Sequence, residues 1–240
     1  MSKLVAVCGS PGSGKTTLAL KLAQELYAAS KKRVLFLSVD LAVPVMGYVF
    51  PHSKASDLHS VGKALDKTEI YREDVMKQIV TAKSMADFGY LGFMAGENAF
   101  TYPRPTEDKV GELFRCMREL AEYVVVDCVS DDSDLLSALA KREAEIIVQT
   151  VNPDLKSMTY YASHADSFTG FADKALIVMN LTEKDVYLPV EDVKNHFKKV
   201  RCLLPYSVAL KHQAITGSLS ERIGDRKYRE ALAALARAVI

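Results

Sequence analysis

Gly9-Ser10-Pro11-Gly12-Ser13-Gly14-Lys15-Thr16 decides how this chain folds. The stretch fits G-x-x-x-x-G-K-[ST] at every fixed position. A short apolar run, residues 4–8 (LVAVC), leads into it. Residues 16–29 lead out of it, with Leu18, Leu22 and Leu26 at helical spacing and Ala19 and Ala23 beside them. The expected order is strand, glycine loop, helix. Glycines let the backbone curl so that successive N–H groups face one concavity. The helix start adds its free N–H groups and positive dipole end. Such a loop cradles phosphates, and the candidate cradle is Gly12, Ser13, Gly14, Lys15, Thr16 and Thr17. Lys15 can reach the outer phosphates as a point charge. Thr16 offers a hydroxyl to Mg²⁺, and Thr17 an N–H or hydroxyl to the inner phosphate.

Working outward, residues 34–39 (VLFLSV) read as a second strand closing at Asp40. Strand, helix and strand make the crossover of a parallel sheet. Residues 123–126 (YVVV) read as a buried strand ending in Asp127. A carboxylate there belongs at the carboxyl edge of the sheet, where ligands bind, and can hold a metal ion. Thr16 and Asp127 are therefore the candidate metal residues, and Lys15, Asp40 and Asp127 the candidate catalytic ones. Asp40 has a competing reading as a turn or cap residue. Asn180, ending the strand 175–179 (ALIVM), either reads a base edge or is an ordinary turn asparagine. Asp131, Asp132 and Asp134 read as solvated residues and a helix cap.

The remaining pattern predicts helices over 74–86, 107–122, 131–143, 153–163, 190–197 and 227–239, and strands over 90–94, 145–151 and 200–204. Residues 41–65 read as a long loop with a short helix. The expected fold class is α/β, a doubly wound, mostly parallel sheet of six or seven strands flanked by helices, in one domain spanning residues 1–240.

Composition narrows the classes. Of 240 residues, 49% are hydrophobic and 25% charged, which excludes wholesale disorder. Lys+Arg 31 against Asp+Glu 30 leaves a net charge of +1, which excludes a grossly basic nucleic-acid coat. The cysteines Cys8, Cys116, Cys128 and Cys202 form no C-x-x-C pair, so a disulfide framework or structural zinc is not expected and a reduced, cytoplasmic setting is. No run is long and apolar enough to span a bilayer. The five histidines show no ligand spacing. Tyr160, Tyr161 and Met158 read as packing residues or an interface anchor, and Lys198, Lys199 and Arg201 as a solvated basic loop.

These residues resemble the MinD/ParA-like P-loop ATPases, a deviant Walker A family that positions cell-division, plasmid-partition and pilus or secretion machinery. The resemblance runs nearly end to end. It rests on GSPGSGKTT (9–17), VLFLSVD (34–40), YVVVD (123–127), ALIVMN (175–180), LLPYSVALKHQAITG (203–217) and YREALAALARAVI (228–240). It implies ATP and Mg²⁺ as ligands, a nucleotide-sandwich homodimer, and a protein partner in a localisation, partition or secretion system. Membrane contact, where there is any, would come through that partner, and DNA contact is not indicated. By match, Asn180 contacts adenine and Pro205, with Tyr206, borders it. Three departures bear on turnover. Ser10 stands where the family carries a lysine that crosses to the partner's phosphates, with Pro11 next to it in place of glycine. Asp40-Leu41-Ala42 lacks the second aspartate that orients water. Asp127-Cys128-Val129-Ser130 replaces a Pro/Gly-rich switch. The expectation is weak or partner-dependent ATP hydrolysis, as in degenerate pilus-assembly localisation proteins. Two other classes stay open: a P-loop small-molecule kinase, with Arg104 as the candidate lid arginine, and an interaction module that keeps nucleotide binding without hydrolysis.

Overall fold

A computed structural model describes residues 2–82, 84–185, 187–197 and 200–240. β1 (Lys3–Gly9), α1 (Lys15–Ser30) and β2 (Val34–Ser38) form the expected crossover. α2 (Met46–Val49), α3 (Gly62–Leu65) and α4 (Arg72–Met76) are short pieces before β3 (Val80–Thr81) and β4 (Phe88–Leu91). α5 (Glu107–Leu120), β5 (Tyr123–Asp127), α6 (Leu135–Glu143) and β6 (Ile146–Val151) follow. The chain continues through α7 (Leu155–Ser163), α8 (Ala165–Thr169), β7 (Ala175–Asn180), α9 (Val190–Phe197) and β8 (Val200–Leu204). α10 (Val208–Thr216) and α11 (Arg226–Val239) close it.

Among the described residues, eight strands join one sheet in the order β3-β4-β2-β5-β1-β6-β7-β8. All neighbouring pairs are parallel except β3 with β4. The chain lays β2, β3, β4 and then β5 on one side of β1, β5 filling the place next to it, and β6, β7 and β8 on the other, so the direction of building reverses at β1. In open parallel sheets the ligand crevice lies at that point.

Alternation along β1 explains how both faces are covered. Val5 and Val7 pack with α1 and with Leu232, Leu235 and Val239 of α11. Leu4, Ala6 and Cys8 face the opposite way, among Leu113, Phe114 and Met117 of α5 and Leu139 of α6. Period-2 side chains with both faces buried give the continuous apolar runs characteristic of parallel strands. Helix starts are set by side-chain caps: Thr106 accepts from the Lys109 N–H, Asp134 from Ser137, Asp154 from Ser157 and Asp225 from Tyr228. Asp134 thus takes the cap role expected of the 131–134 acids, and its helix starts at Leu135 rather than 131.

Three expectations are corrected. The helix predicted over 74–86 stops at Met76, because Val80–Thr81 pairs antiparallel with β4 through Val80↔Tyr90 and Thr81↔Gly89. The strand predicted over 90–94 begins instead at Phe88 and ends at Leu91. Gly89 lies within it because a Cβ there would come 2.5 Å from Leu35 Cδ2 and 2.6 Å from Ile79 Cγ2. α8 and α10 had no counterpart in the sequence reading. Lys198 and Lys199 of the basic run lie outside the described residues.

Candidate functional site

The loop between β1 and α1 is fixed from its buried side. Ser13 is 1% exposed, and its Oγ lies 2.8 Å from Thr150 Oγ1. Thr150 in turn donates to the Cys8 carbonyl. The Ser13 N–H donates to the Ser10 carbonyl at 3.2 Å, closing the turn, and the Ser13 carbonyl accepts from Asn180 Nδ2 at 2.8 Å. Gly14 has φ +79°, and a Cβ there would lie 2.6 Å from that same Nδ2. Only glycine meets both conditions.

α1 is preceded by Gly14 at its N-cap and has no side-chain cap. Its first-turn N–H groups, Lys15, Thr16 and Thr17, therefore have no intrahelical partner and no capping oxygen. The helix carries no acidic residue in that turn to balance its positive end. These bare N–H groups open on a cleft of about 800 Å³ lined by Lys15, Thr16, Asp40, Tyr48, Asp127 and Ser130.

Lys15 spans the mouth of the loop. Its Nζ donates to the Ser10 carbonyl at 3.1 Å and to Ser130 Oγ at 2.6 Å. Ser130 Oγ donates onward to the Gly9 carbonyl. Burial pulls the Lys15 pKa below that of an ordinary lysine, and Asp127 is the first group opposing that shift. The ammonium is thus held at the loop by weak, neutral acceptors that an anion can replace.

Asp127 sits beside Val7 of β1 and Ser38 of β2 in register, which brings its carboxylate to the base of the loop. It is 2% exposed. Ser38 Oγ donates to Oδ2 at 3.0 Å, whereas Oδ1 is buried with no hydrogen-bond partner among the described residues. Burial raises its pKa to about 6, against the lowering pull of Thr16, Ser38 and Lys15. A buried carboxylate oxygen left open beside a threonine hydroxyl fits a hydrated Mg²⁺. Thr16, Lys15 and the first turn of α1 fit the phosphates.

Asp40 is half-buried and lines the same cleft, but β5 lies between its strand and β1. Its Oδ1 accepts the N–H groups of Ala42 and Val43, at 2.9 and 2.8 Å, so one carboxylate oxygen holds the turn after β2. Asn180 and Pro205 line a second cleft, of about 240 Å³, with Gly12, Gly14, Thr17 and Tyr206. The structure brings Gly12, Gly14, Lys15, Thr16, Thr17, Asp40 and Asp127 together around one cleft, and Asn180 and Pro205 around the adjoining one. Ser13, expected in the cradle, turns its side chain inward to Thr150 and lines neither. Arg104 is exposed in the loop between β4 and α5 and lines neither.

Several contributors had not been read from the sequence. Ser130 and Thr150 brace the loop. Tyr48 reaches the cleft from α2, its hydroxyl pushed far up by burial and by Asp127 and Asp40. A serine in a poorly marked turn or a threonine within a strand carries no sequence signal of this kind. Tyr161 is buried and donates to the Thr150 carbonyl, while Tyr160 stacks on His164, so this aromatic pair packs the site's flank. Cys128 is core, its thiol pushed well up by burial.

No family model matches the chain, and no curated protein does. Solved structures do. A ParA family ATPase from Chlorobium tepidum TLS superposes with TM-score 0.80 at 12% identity, over 98% of this chain and 99% of that one. The septum site-determining protein MinD from Pyrococcus horikoshii, complexed with Mg-ADP, gives 0.75 at 16%, over 100% and 96%. MinD from Aquifex aeolicus, in its complex with MinC, gives 0.74 at 18%, over 98% and 95%. With its phosphate loop at the strand-order reversal and helices on both sheet faces, this chain has the P-loop fold of the MinD and ParA ATPases.

Proposed function

We propose that the chain binds ATP with Mg²⁺ and acts as a nucleotide-regulated, dimeric localisation or assembly protein with slow or partner-dependent hydrolysis. The observation that carries this reading is the pairing of uncapped N–H groups at the start of α1 with the open Oδ1 of buried Asp127. The first asks for an anion and the second for a cation, in one cleft. The Mg-ADP held by the similar Pyrococcus horikoshii protein and the MinC bound to the Aquifex aeolicus one support the ligand and the partner.

In this reading Lys15 leaves Ser130 for the outer phosphates, and the N–H groups of α1 hold the phosphate oxygens. Thr16 and Asp127 hold the metal, Asp127 through a water. The ion would neutralise charge on the phosphate oxygens as the outer bond breaks. Asn180 and Pro205 border the base. Asp40 lines the cleft with one carboxylate oxygen tied to the turn, and Ala42 offers no charge, so little is left to orient an attacking water. Slow turnover follows. A reduced cytoplasmic location is proposed from the scattered cysteines alone.

Titration calorimetry of the full chain with ATP, with and without Mg²⁺, tests the core of this reading. Binding that strengthens with Mg²⁺ is expected. No heat with either would overturn it.

A further inference from the structure

Ser10 is 2% exposed, and its hydroxyl donates to Ser157 Oγ at 3.2 Å, across 147 residues of sequence. Ser157 Oγ also accepts the Asn152 N–H, and the Ser157 N–H donates to the Asp154 cap at 2.7 Å. The first turn of α7 is therefore pinned against the phosphate loop. The residue just before Ser157 is Lys156, and this pin places its side chain over the loop. A Cβ built on Gly12 would meet Lys156 Nζ at 3.6 Å and nothing else within 4 Å. Lys156 itself is exposed. Among the described residues no carboxylate forms an ion pair with it.

That arrangement is electrostatically incomplete. An ammonium stands over a glycine turn that runs into the positive end of α1, and among the described residues no carboxylate pairs with it. Like charges so placed repel, and a long exposed lysine has many rotamers that avoid the loop. A bound polyphosphate reverses the sign of the field and makes this position favourable. Ser10 carries no charge of its own. Its hydroxyl serves instead as the latch that brings Lys156 to the loop.

We propose that Lys156 is a second phosphate-binding cation of the site, supplied by the same subunit that supplies the loop. The proposal rests on the reading that the loop holds a nucleotide. It adds that charge neutralisation at the outer phosphates is completed within one chain, by Lys15 from α1 and Lys156 from α7. Nucleotide affinity should then not depend on a partner subunit's cation.

The test is fluorescence titration of the full chain with MgATP, comparing wild type with Lys156→Gln, Lys156→Arg and Lys15→Ala. Loss of one charge-assisted hydrogen bond should weaken MgATP by about tenfold in Lys156→Gln. Lys156→Arg should restore affinity to within about threefold of wild type. The salt dependence of binding should be shallower in Lys156→Gln, because one screened contact is gone. Nucleotide-free melting should not move, since the side chain is exposed. If Lys156→Gln binds MgATP as wild type does while Lys15→Ala has lost binding, the nucleotide reading stands and this proposal falls. If wild type binds no nucleotide, both fall. The titration is repeated at a concentration where sedimentation shows monomer. Weakening that persists there supports assignment to the same chain, and weakening confined to dimers overturns it.

Discussion

Asn180 Nδ2 donates to the Ser13 carbonyl at 2.8 Å, tying the end of β7 to the phosphate loop that follows β1. Asn180 is buried, so its amide is a brace before it is anything else. Asn180→Ala leaves a buried carbonyl without its donor, at a cost of about 1–2 kcal/mol. The nucleotide-free melting temperature should fall by roughly 2–6 °C for a chain of this size. A residue that only bordered the base would leave that melting temperature unchanged, so calorimetric melting separates the roles.

Lys15→Ala should abolish tight MgATP binding while leaving the nucleotide-free fold intact. Lys15 is held by two neutral oxygens, and burial already disfavours its charge. Ser130 keeps its bond to the Gly9 carbonyl without it. Titration calorimetry beside thermal melting checks both halves. A large loss of stability would mean that the lysine is a structural strut.

Asp127 gives a pH signature. Its pKa is raised by burial from 3.8 to about 6, so the folded state holds this proton more tightly than the unfolded chain. Its contribution is favourable below about pH 4 and is lost as pH rises through 6. At neutral pH the buried charge costs at most about 3 kcal/mol. Asp127→Asn still accepts from Ser38. It should melt higher than wild type at pH 7.5 without ligand, show a flatter profile between pH 4 and 6, and bind MgATP weakly. Melting across pH 4–8 decides it; parallel profiles in the two proteins would place the slope on another group.

The parts of the site legible in the sequence were those where one residue type answers one backbone demand. Gly14 must be bare, Lys15 must be charged, and Asp127 must end a strand that three valines bury. The braces were illegible because a hydroxyl such as Ser130 or Thr150 acquires its role only when strands distant in sequence lie side by side. In the fold, the central strands read correctly because both faces are buried and the runs are continuous. Residues 74–86 misled because Val75, Gln78 and Ile79 fit a helical period, yet Val80 is claimed by the edge of the sheet at Tyr90. α10 escaped because Val208 and Ile215 are exposed, so its apolar residues mark no core stripe.

Turnover should be slow. With Asp40 Oδ1 held by two N–H groups and Ala42 beside it, steady-state phosphate release by the protein alone should stay below about 1 s⁻¹. Asp40→Asn keeps an acceptor for both N–H groups and should preserve the turn. If that change cuts an already measurable rate by tenfold or more, the Asp40 carboxylate does position water.

The last prediction concerns assembly. Two large apolar side chains stand open near the site: Val43, 61% exposed on the wall of the larger cleft, and Leu155, 72% exposed and adjacent in sequence to Lys156. A second copy related by a two-fold axis would cover both at once and shield the outer phosphates from water, because one patch serves twice in such a contact. Sedimentation with apo, ADP and ATP–Mg²⁺ samples should show the dimer favoured by ATP. Val43→Asp with Leu155→Asp should abolish it while leaving nucleotide-free melting in place. A monomer in all three states would defeat the proposal. A dimer equally tight in all three would keep the assembly and remove the switch, since a contact indifferent to the outer phosphate gains nothing from the charge that Lys15 and Mg²⁺ gather there.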